Sequence, residues 1–204
     1  MAEAEKSRPD GRTLRSANTR RAVAEAYLDL AQEGNLKPTA RTVADRAQVS
    51  ERAVFRHFRD LETLMAEAAR LQIDRVGKAV PRPAPLDGPL DVRREAFAER
   101  WCELNEKVTP VRRAALLYEP FSEEVARRLG WIRGVRRNEI QRTFAAELAS
   151  LATEDQREAI AALSATSSWA TWNELRTRHN LSKVAARRTV ARSLAALLGY
   201  MGPA

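Results

Sequence analysis

The chain holds one cysteine, Cys102, which excludes an internal disulfide and a cysteine-built zinc site. Its two histidines, His57 and His179, are too few and too far apart in sequence to suggest a metal site. No metal and no other cofactor is expected. Only eight glycines occur in 204 residues, and none form a glycine-rich loop of the kind that cradles phosphate. There is no G-x-S-x-G elbow, and no pair of carboxylates stands where acid–base chemistry would use it. Asp87 and Asp91 flank a linker and read as solvated. An enzyme is therefore not expected. No apolar run approaches the length of a membrane span, and the first residues are polar, so a cytoplasmic protein is expected. Runs of β-branched residues are scarce, whereas Ala, Leu, Arg and Glu abound, which points to an all-α protein.

The residues that are present divide the chain. Residues 1–15 are basic and broken by Pro9 and Gly11, and they read as a flexible arm. From Lys6 to Arg21 there are six basic residues against the single acid Asp10, within a net charge of +8. Such a cluster is an electrostatic footprint of nucleic-acid binding. A second group of arginines, from Arg127 to Arg142, reads as a solvated helix face. Residues 16–60 read as three helices. The first opens at Ser16 or Asn18, carries an apolar stripe of Val23, Ala26, Tyr27, Leu30 and Ala31, and stops at Gly34-Asn35. Thr39 and Ser50 then stand as N-caps of two short helices, the second with Glu51 in its first turn. Val43, Ala44 and Ala47 give the first short helix one apolar face, and Val54, Phe55 and Phe58 give the second another. Helices this short need a third to pack on, so the unit reads as a helix-turn-helix. The second short helix leaves Glu51, Arg52, Arg56, His57 and Arg59 free to face a partner.

The run T-x-R-x-V-A-x-x-A-x-V-S-x-x-x-V-F-x-H-F, from Thr39 to Phe58, followed by D-L-E-T-L, resembles the DNA-binding domain of the TetR/AcrR family of bacterial transcriptional regulators. It departs from that pattern at Gln48, where the turn usually has glycine, and at Phe55, where tyrosine is usual. A lysine usual near Leu61 and Glu62 is also missing. The resemblance implies operator DNA as partner, bound by a homodimer that a small-molecule effector releases. Arg12 and Arg15 of the arm are candidates for the minor groove. Arg52, which as arginine can pair bidentately with guanine, is the first candidate for a base contact and Arg41 the second. Thr39, Ser50, His57 and Arg59 are expected on phosphates. Phe55 is open between a sugar or thymine-methyl contact and the core.

Residues 61–80 read as a connecting helix with a stripe of Leu61, Leu64, Met65, Ala68 and Leu71. The resemblance makes it the element that links ligand binding to the recognition helices. Residues 81–89, PRPAPLDGP, carry four prolines and a glycine and read as a linker. Residues 90–204 read as a helical body, bringing the total to about nine helices. Its helices are expected at 91–108, ended by Pro110, at 111–118, and at 122–151 with a weak point near Gly130 or Gly134. Two more are expected at 153–178, opened by the capping box Thr153-Glu-Asp-Gln156, and from Ser182 onward.

The stretch W-A-T-W-N-E-L-R-T-R-H-N-L-S from Trp169, with the stripe that follows it, resembles the helix pair of that family's dimer interface. Trp169, Trp172, Leu175, Val190, Leu194, Leu197 and Leu198 are its candidates, with burial in a monomer core as the alternative for the tryptophans. Phe97, Trp101, Tyr118, Phe121, Trp131 and Phe144 are candidates to line an effector cavity, with Asn105 and Asn138 to orient a ligand. Aromatics at helical spacing are equally core residues, and the ligand, lipophilic or aromatic, is not named by the sequence. An architectural protein that binds DNA without sequence preference is the alternative function, told apart by its specificity ratio.

Overall fold

A computed structural model describes residues 11–79 and 82–200. Among them every regular element is α-helical: α1 Gly11–Gln32, α2 Ala40–Ala47, α3 Glu51–His57, α4 Leu61–Ala79, α5 Leu90–Tyr118, α6 Glu123–Thr143, α7 Ala145–Ala149, α8 Thr153–Thr166, α9 Trp169–Thr177 and α10 Lys183–Tyr200. The expected all-α class holds, with ten helices if the five-residue α7 is counted. The chain divides into two compact units. One contains the described residues through Gln72 together with Pro110–Tyr118, and the other Ile73–Thr109 together with Glu119 onward.

In the first unit α1 supplies a buried face of Val23, Ala24, Tyr27, Leu28, Leu30 and Ala31. Gly34, at φ 95°, ends it, and the Asn35 N–H returns to the Leu30 carbonyl at 2.9 Å. The stop expected at Gly34-Asn35 is thus present, and its cause is the left-handed position that glycine occupies without steric cost. The start differs. Helix begins at Gly11 rather than Ser16, so Arg12 and Arg15 sit on the first turns of α1, not on an arm. Arg15 Nε donates to the Gly11 carbonyl at 3.1 Å, and the Thr19 hydroxyl to the Arg15 carbonyl at 3.0 Å, supporting these early turns. The remainder of the expected arm, residues 1–10, lies outside the described residues.

The core of the second unit gathers Phe97, Trp101 and Cys102 of α5, Ile140 of α6, Leu163 of α8, Trp172 of α9, and Ala186, Val190, Leu194 and Leu198 of α10, closed by Phe144. Burial pushes the Cys102 thiol up to about 12, which makes it inert packing. Arg93 ties this unit together. Its guanidinium donates to both carboxylate oxygens of Glu147, at 2.5 and 3.1 Å, and to the Thr143 carbonyl, while its Nε reaches the Gly88 carbonyl at 3.0 Å.

Three expected boundaries are corrected. Pro110 does not end a helix, because α5 runs through it to Tyr118. The proline removes one N–H donor, but Trp101, Cys102 and Asn105 before it and Val111, Ala114 and Ala115 after it are all buried, and that packing outweighs the local loss. Neither Gly130 nor Gly134 interrupts α6; the break falls at Phe144, whose backbone sits at φ −114°, ψ 29°. The helix expected over 153–178 is two. The Ser167 hydroxyl bonds the Leu163 carbonyl, and the Ser168 hydroxyl accepts from the Thr171 N–H at 3.1 Å, so the first serine supports the end of α8 and the second caps α9. The capping box at Thr153 is not made. Ala152 occupies the N-cap, and the Gln156 side chain turns back to the Leu151 carbonyl. Ser182 does cap α10, accepting from the Ala185 N–H at 3.2 Å.

Candidate nucleic-acid interface

The α2–α3 unit is built by local chemistry. The Thr39 hydroxyl accepts from the Thr42 N–H at 3.1 Å, and the Ser50 hydroxyl accepts from the Ala53 N–H at 3.1 Å. Each cap satisfies one of the orphan donors at a helix start. Between the helices Gln48 takes the left-handed conformation, φ 54°, ψ 43°, with its N–H directed at the Ala44 and Asp45 carbonyls. The turn therefore has the geometry that glycine usually serves, carried by a residue for which it is strained. Asp60 caps α4 in turn, accepting from the Thr63 N–H and hydroxyl at 2.7 Å each. Those bonds, chiefly the backbone one, and then Arg59 hold the Asp60 carboxyl down at about 2.

Only part of α3 packs. Ala53, Val54 and the following Phe58 are buried, where α3 packs on α2 and α1. Phe55 is 48% exposed, so it does not belong to the apolar face expected for it. Glu51, Arg52, Phe55 and Arg56 are all exposed, at i, i+1, i+4 and i+5, which on a helix is one face. Two cations, one acid at the helix start and one aromatic ring thus project together. Arg41, in the first turn of α2, is exposed as well.

Other candidates are engaged within the chain. Arg59 Nε lies 2.9 Å from Asp60 Oδ2. His57 is half-buried, its Nε2 is enclosed with no partner among the described residues, and desolvation, followed by Arg56 and Arg20, lowers its pKa. The enclosed Nε2 is not placed to reach a phosphate, the contact expected of His57, and the lowered pKa favours the uncharged ring. Two arginines counted in the basic cluster also have internal work. Arg21 pairs with Glu25 at 3.0 Å, four residues on along α1. Arg20 donates from Nη1 to the His57 carbonyl at 2.6 Å, and its guanidinium lies 4.4 Å from the Phe58 ring centroid. That carbonyl is among those left open at the end of α3, so a cation on α1 caps the candidate recognition helix. Sequence reasoning missed this role. The available signal was a helical cation next to the apolar stripe of α1, which is also what a solvated arginine looks like.

No protein-family model matches the sequence, and no curated protein matches it either. Solved structures do. A TetR-family transcriptional regulator from Streptomyces coelicolor superposes with a TM-score of 0.72, over 91% of this chain and 82% of that one, at 15% identity. A transcriptional regulator from Rhodococcus sp. Rha1 superposes with a TM-score of 0.70, over 89% of this chain and 96% of that one, at 18% identity. This chain has a TetR-family fold.

Within the body of this TetR-like fold the expected effector residues do not come together as one lining. Phe121 is 85% exposed and Trp131 59% exposed, so neither lines an enclosed space. Asn138 is exposed too. Trp101 and Phe144 are buried and meet through Phe97, at ring-centroid distances of 6.2 and 5.4 Å, as core packing. Asn105 is buried and donates its amide to the Ser167 carbonyl at 3.1 Å, which anchors the α8–α9 break. Tyr118 belongs to the first unit, where it contributes, after burial, to raising the Tyr27 hydroxyl.

The residues of the expected dimer stripe divide between core and surface. Trp172, Val190, Leu194 and Leu198 are buried in their own chain's core. Helices α9 and α10 use that stripe on α5 and α8, with Trp172 Nε1 held by Glu106 at 2.8 Å. Trp169, whose Nε1 reaches the Thr109 hydroxyl at 3.0 Å, and Leu175 and Leu197 are only partly buried.

Proposed function

We propose that the chain is a DNA-binding transcriptional regulator that inserts α3 into the major groove. The observation that carries this reading is the division of α3. Ala53, Val54 and Phe58 hold it to the first unit, while Glu51, Arg52, Phe55 and Arg56 project from a helix capped at Ser50. A short helix with its N-terminal half exposed and basic is the recognition geometry of a helix-turn-helix. Arg52 is the base-reading residue and Arg41 its companion on α2. Thr39 and Ser50 already accept backbone N–H groups as caps; the Ser50 hydroxyl proton remains to donate to a phosphate that fixes register, while the Thr39 hydroxyl shares a hydrogen bond with that of Thr42 at 2.8 Å. Arg12, Arg15 and Arg56 add backbone attraction.

One α3 reads only a few base pairs, so the reading includes a homodimer on a pseudo-palindrome, with half-sites about one helical turn apart. Trp169, Leu175 and Leu197 remain the contact candidates for it. It also includes repression relieved by a small effector received in the body. Supporting that part, Trp101 Nε1 is buried with no hydrogen-bond acceptor among the described residues, an unmet donor on a ring that the Arg136 guanidinium approaches to 5.4 Å.

The test is Arg52→Ala on a DNA site recovered from a random pool. A bidentate guanine contact is worth about 1–3 kcal/mol of discrimination, so the variant should lose about tenfold or more on the selected site and little on random DNA. Equal loss on both would refute the assignment.

A further inference from the structure

Four arginines line one groove in the second unit. Arg94 comes from α5, and Arg187, Arg188 and Arg192 come from α10, around an open volume of about 340 Å³. Its lining also includes Val184, Ala191 and Ala195 of α10 and one acid, Glu95 of α5. We propose that this groove binds a small phosphoryl-bearing anion. The proposal is independent of the DNA-binding reading, since no residue of α2 or α3 takes part.

The charge arrangement favours an anion of high charge density. Arg187 is partly compensated by Glu99, at 3.2 Å, and Arg94 by Glu95, at 3.2 Å. Arg188 and Arg192 are exposed and have no ion-pair or hydrogen-bond partner among the described residues. They stand four residues apart on α10, which places their Cβ atoms about 5–6 Å from each other on one face. Like charges at that spacing repel, and an anion between them removes the repulsion.

A second, separate observation points the same way. The Nε of Arg94 is buried and has no acceptor among the described residues, although Arg94 lines the groove. The rest of the guanidinium is partly exposed and pairs with Glu95, so a turn of the Arg94 side chain toward the groove would let a ligand oxygen satisfy that donor. The class of ligand follows from the donor set. Arg94, Arg188 and Arg192 offer donors in excess of what one carboxylate accepts, whereas a phosphoryl group carries three acceptor oxygens and close to two charges. Ala191 and Ala195 leave room for it, and the groove volume is within the range of small-molecule sites.

The experiment is calorimetric titration of the full chain with pyrophosphate, against sodium chloride at matched ionic strength. Pyrophosphate should bind and chloride should not. An Arg188→Ala/Arg192→Ala double variant, its fold checked by circular dichroism, should bind at least about tenfold more weakly, since it removes two charge-assisted contacts. An Arg137→Ala/Arg142→Ala double variant removes two exposed arginines of α6 and should bind like the parent. Vesicles of phosphatidylcholine with phosphatidylglycerol separate two sources of the same chemistry. Co-sedimentation lost in the Arg188/Arg192 variant would place the phosphoryl group on a lipid, and pyrophosphate binding without co-sedimentation would make the ligand soluble. No heat with pyrophosphate, or equal weakening in both double variants, overturns the proposal. Loss of duplex DNA binding in the Arg188/Arg192 variant, without any pyrophosphate binding, would make the groove a DNA contact and overturn it too.

Discussion

Replacing Arg20 with alanine removes two interactions at the end of α3 and an approach to Glu67 of α4, and their sum can be worked from the geometry. The hydrogen bond from Nη1 to the His57 carbonyl, at 2.6 Å, is charge-assisted, a class worth about 1.5–3 kcal/mol. The side chain is 41% exposed, so solvent screening puts it at the low end of that range. The guanidinium over the Phe58 ring, 4.4 Å from its centroid, adds about 0.5 kcal/mol in a half-exposed setting. The approach to Glu67, at 3.9 Å, adds nothing measurable. Arg20→Ala should therefore cost about 2 kcal/mol, which in urea lowers the unfolding midpoint by about 1 M. Arg20→Lys keeps the charge but not the planar fork over the ring, and should recover about half. The same variants decide between capping and phosphate contact. If Arg20 caps α3, the slope of DNA affinity against salt stays as in the parent. An unchanged midpoint with a slope shallower by about one would refute the capping role and return Arg20 to the basic cluster.

The remaining predictions concern strain, acid and a buried pair. Gln48→Gly places at φ 54° the residue that tolerates it, and should raise stability by about 1 kcal/mol in urea unfolding; a loss would mean that the Gln48 side chain matters more than its backbone. The Asp60 carboxyl titrates at about 2 in the folded chain against 3.8 ordinarily, a depressed value, so its contribution is present above about pH 4 and fades as pH falls toward 2. The stability difference between the parent and Asp60→Ala should thus be constant at neutral pH and shrink in acid; a difference independent of pH contradicts the cap. Glu147→Ala strands the Arg93 guanidinium, whose side chain is only 8% exposed, and should cost about 3 kcal/mol in the same assay. A cost below about 1 kcal/mol would show that the Thr143 and Gly88 carbonyls suffice for Arg93.

What was legible in the sequence was short-range. Thr39, Ser50 and Gly34-Asn35 act on backbone groups within five residues, so their spacing alone predicts α2, α3 and the end of α1. The apolar stripe of α1 was legible for the same reason, since one helical period defines it. Pro110 misled because it is also a local signal, here outweighed by burial on both sides that only the folded chain displays. Phe144 interrupts a run that would otherwise continue, and its ring is buried against Phe97, an energy that sequence periodicity does not carry. Ser167-Ser168 was a readable break, since both residues offer hydroxyls that compete for backbone groups. The candidate recognition face was legible in its charged members and left open at Phe55, because an aromatic at helical spacing reads equally as core until its exposure is seen. The aromatics of the body show the converse. Phe121 and Trp131 stand at the surface and Trp101 and Phe144 in the core, and their spacing does not distinguish them.

The central claim is sequence-specific DNA binding by α3, and the direct test is selection of bound fragments from a random duplex pool at near-physiological salt, with the oligomeric state followed by light scattering. The account predicts enrichment of a pseudo-palindrome with half-sites about one helical turn apart, bound by a dimer and lost in Arg52→Ala. A pool left unenriched, with binding that disappears as salt rises, would contradict it and leave a protein that holds DNA by charge alone.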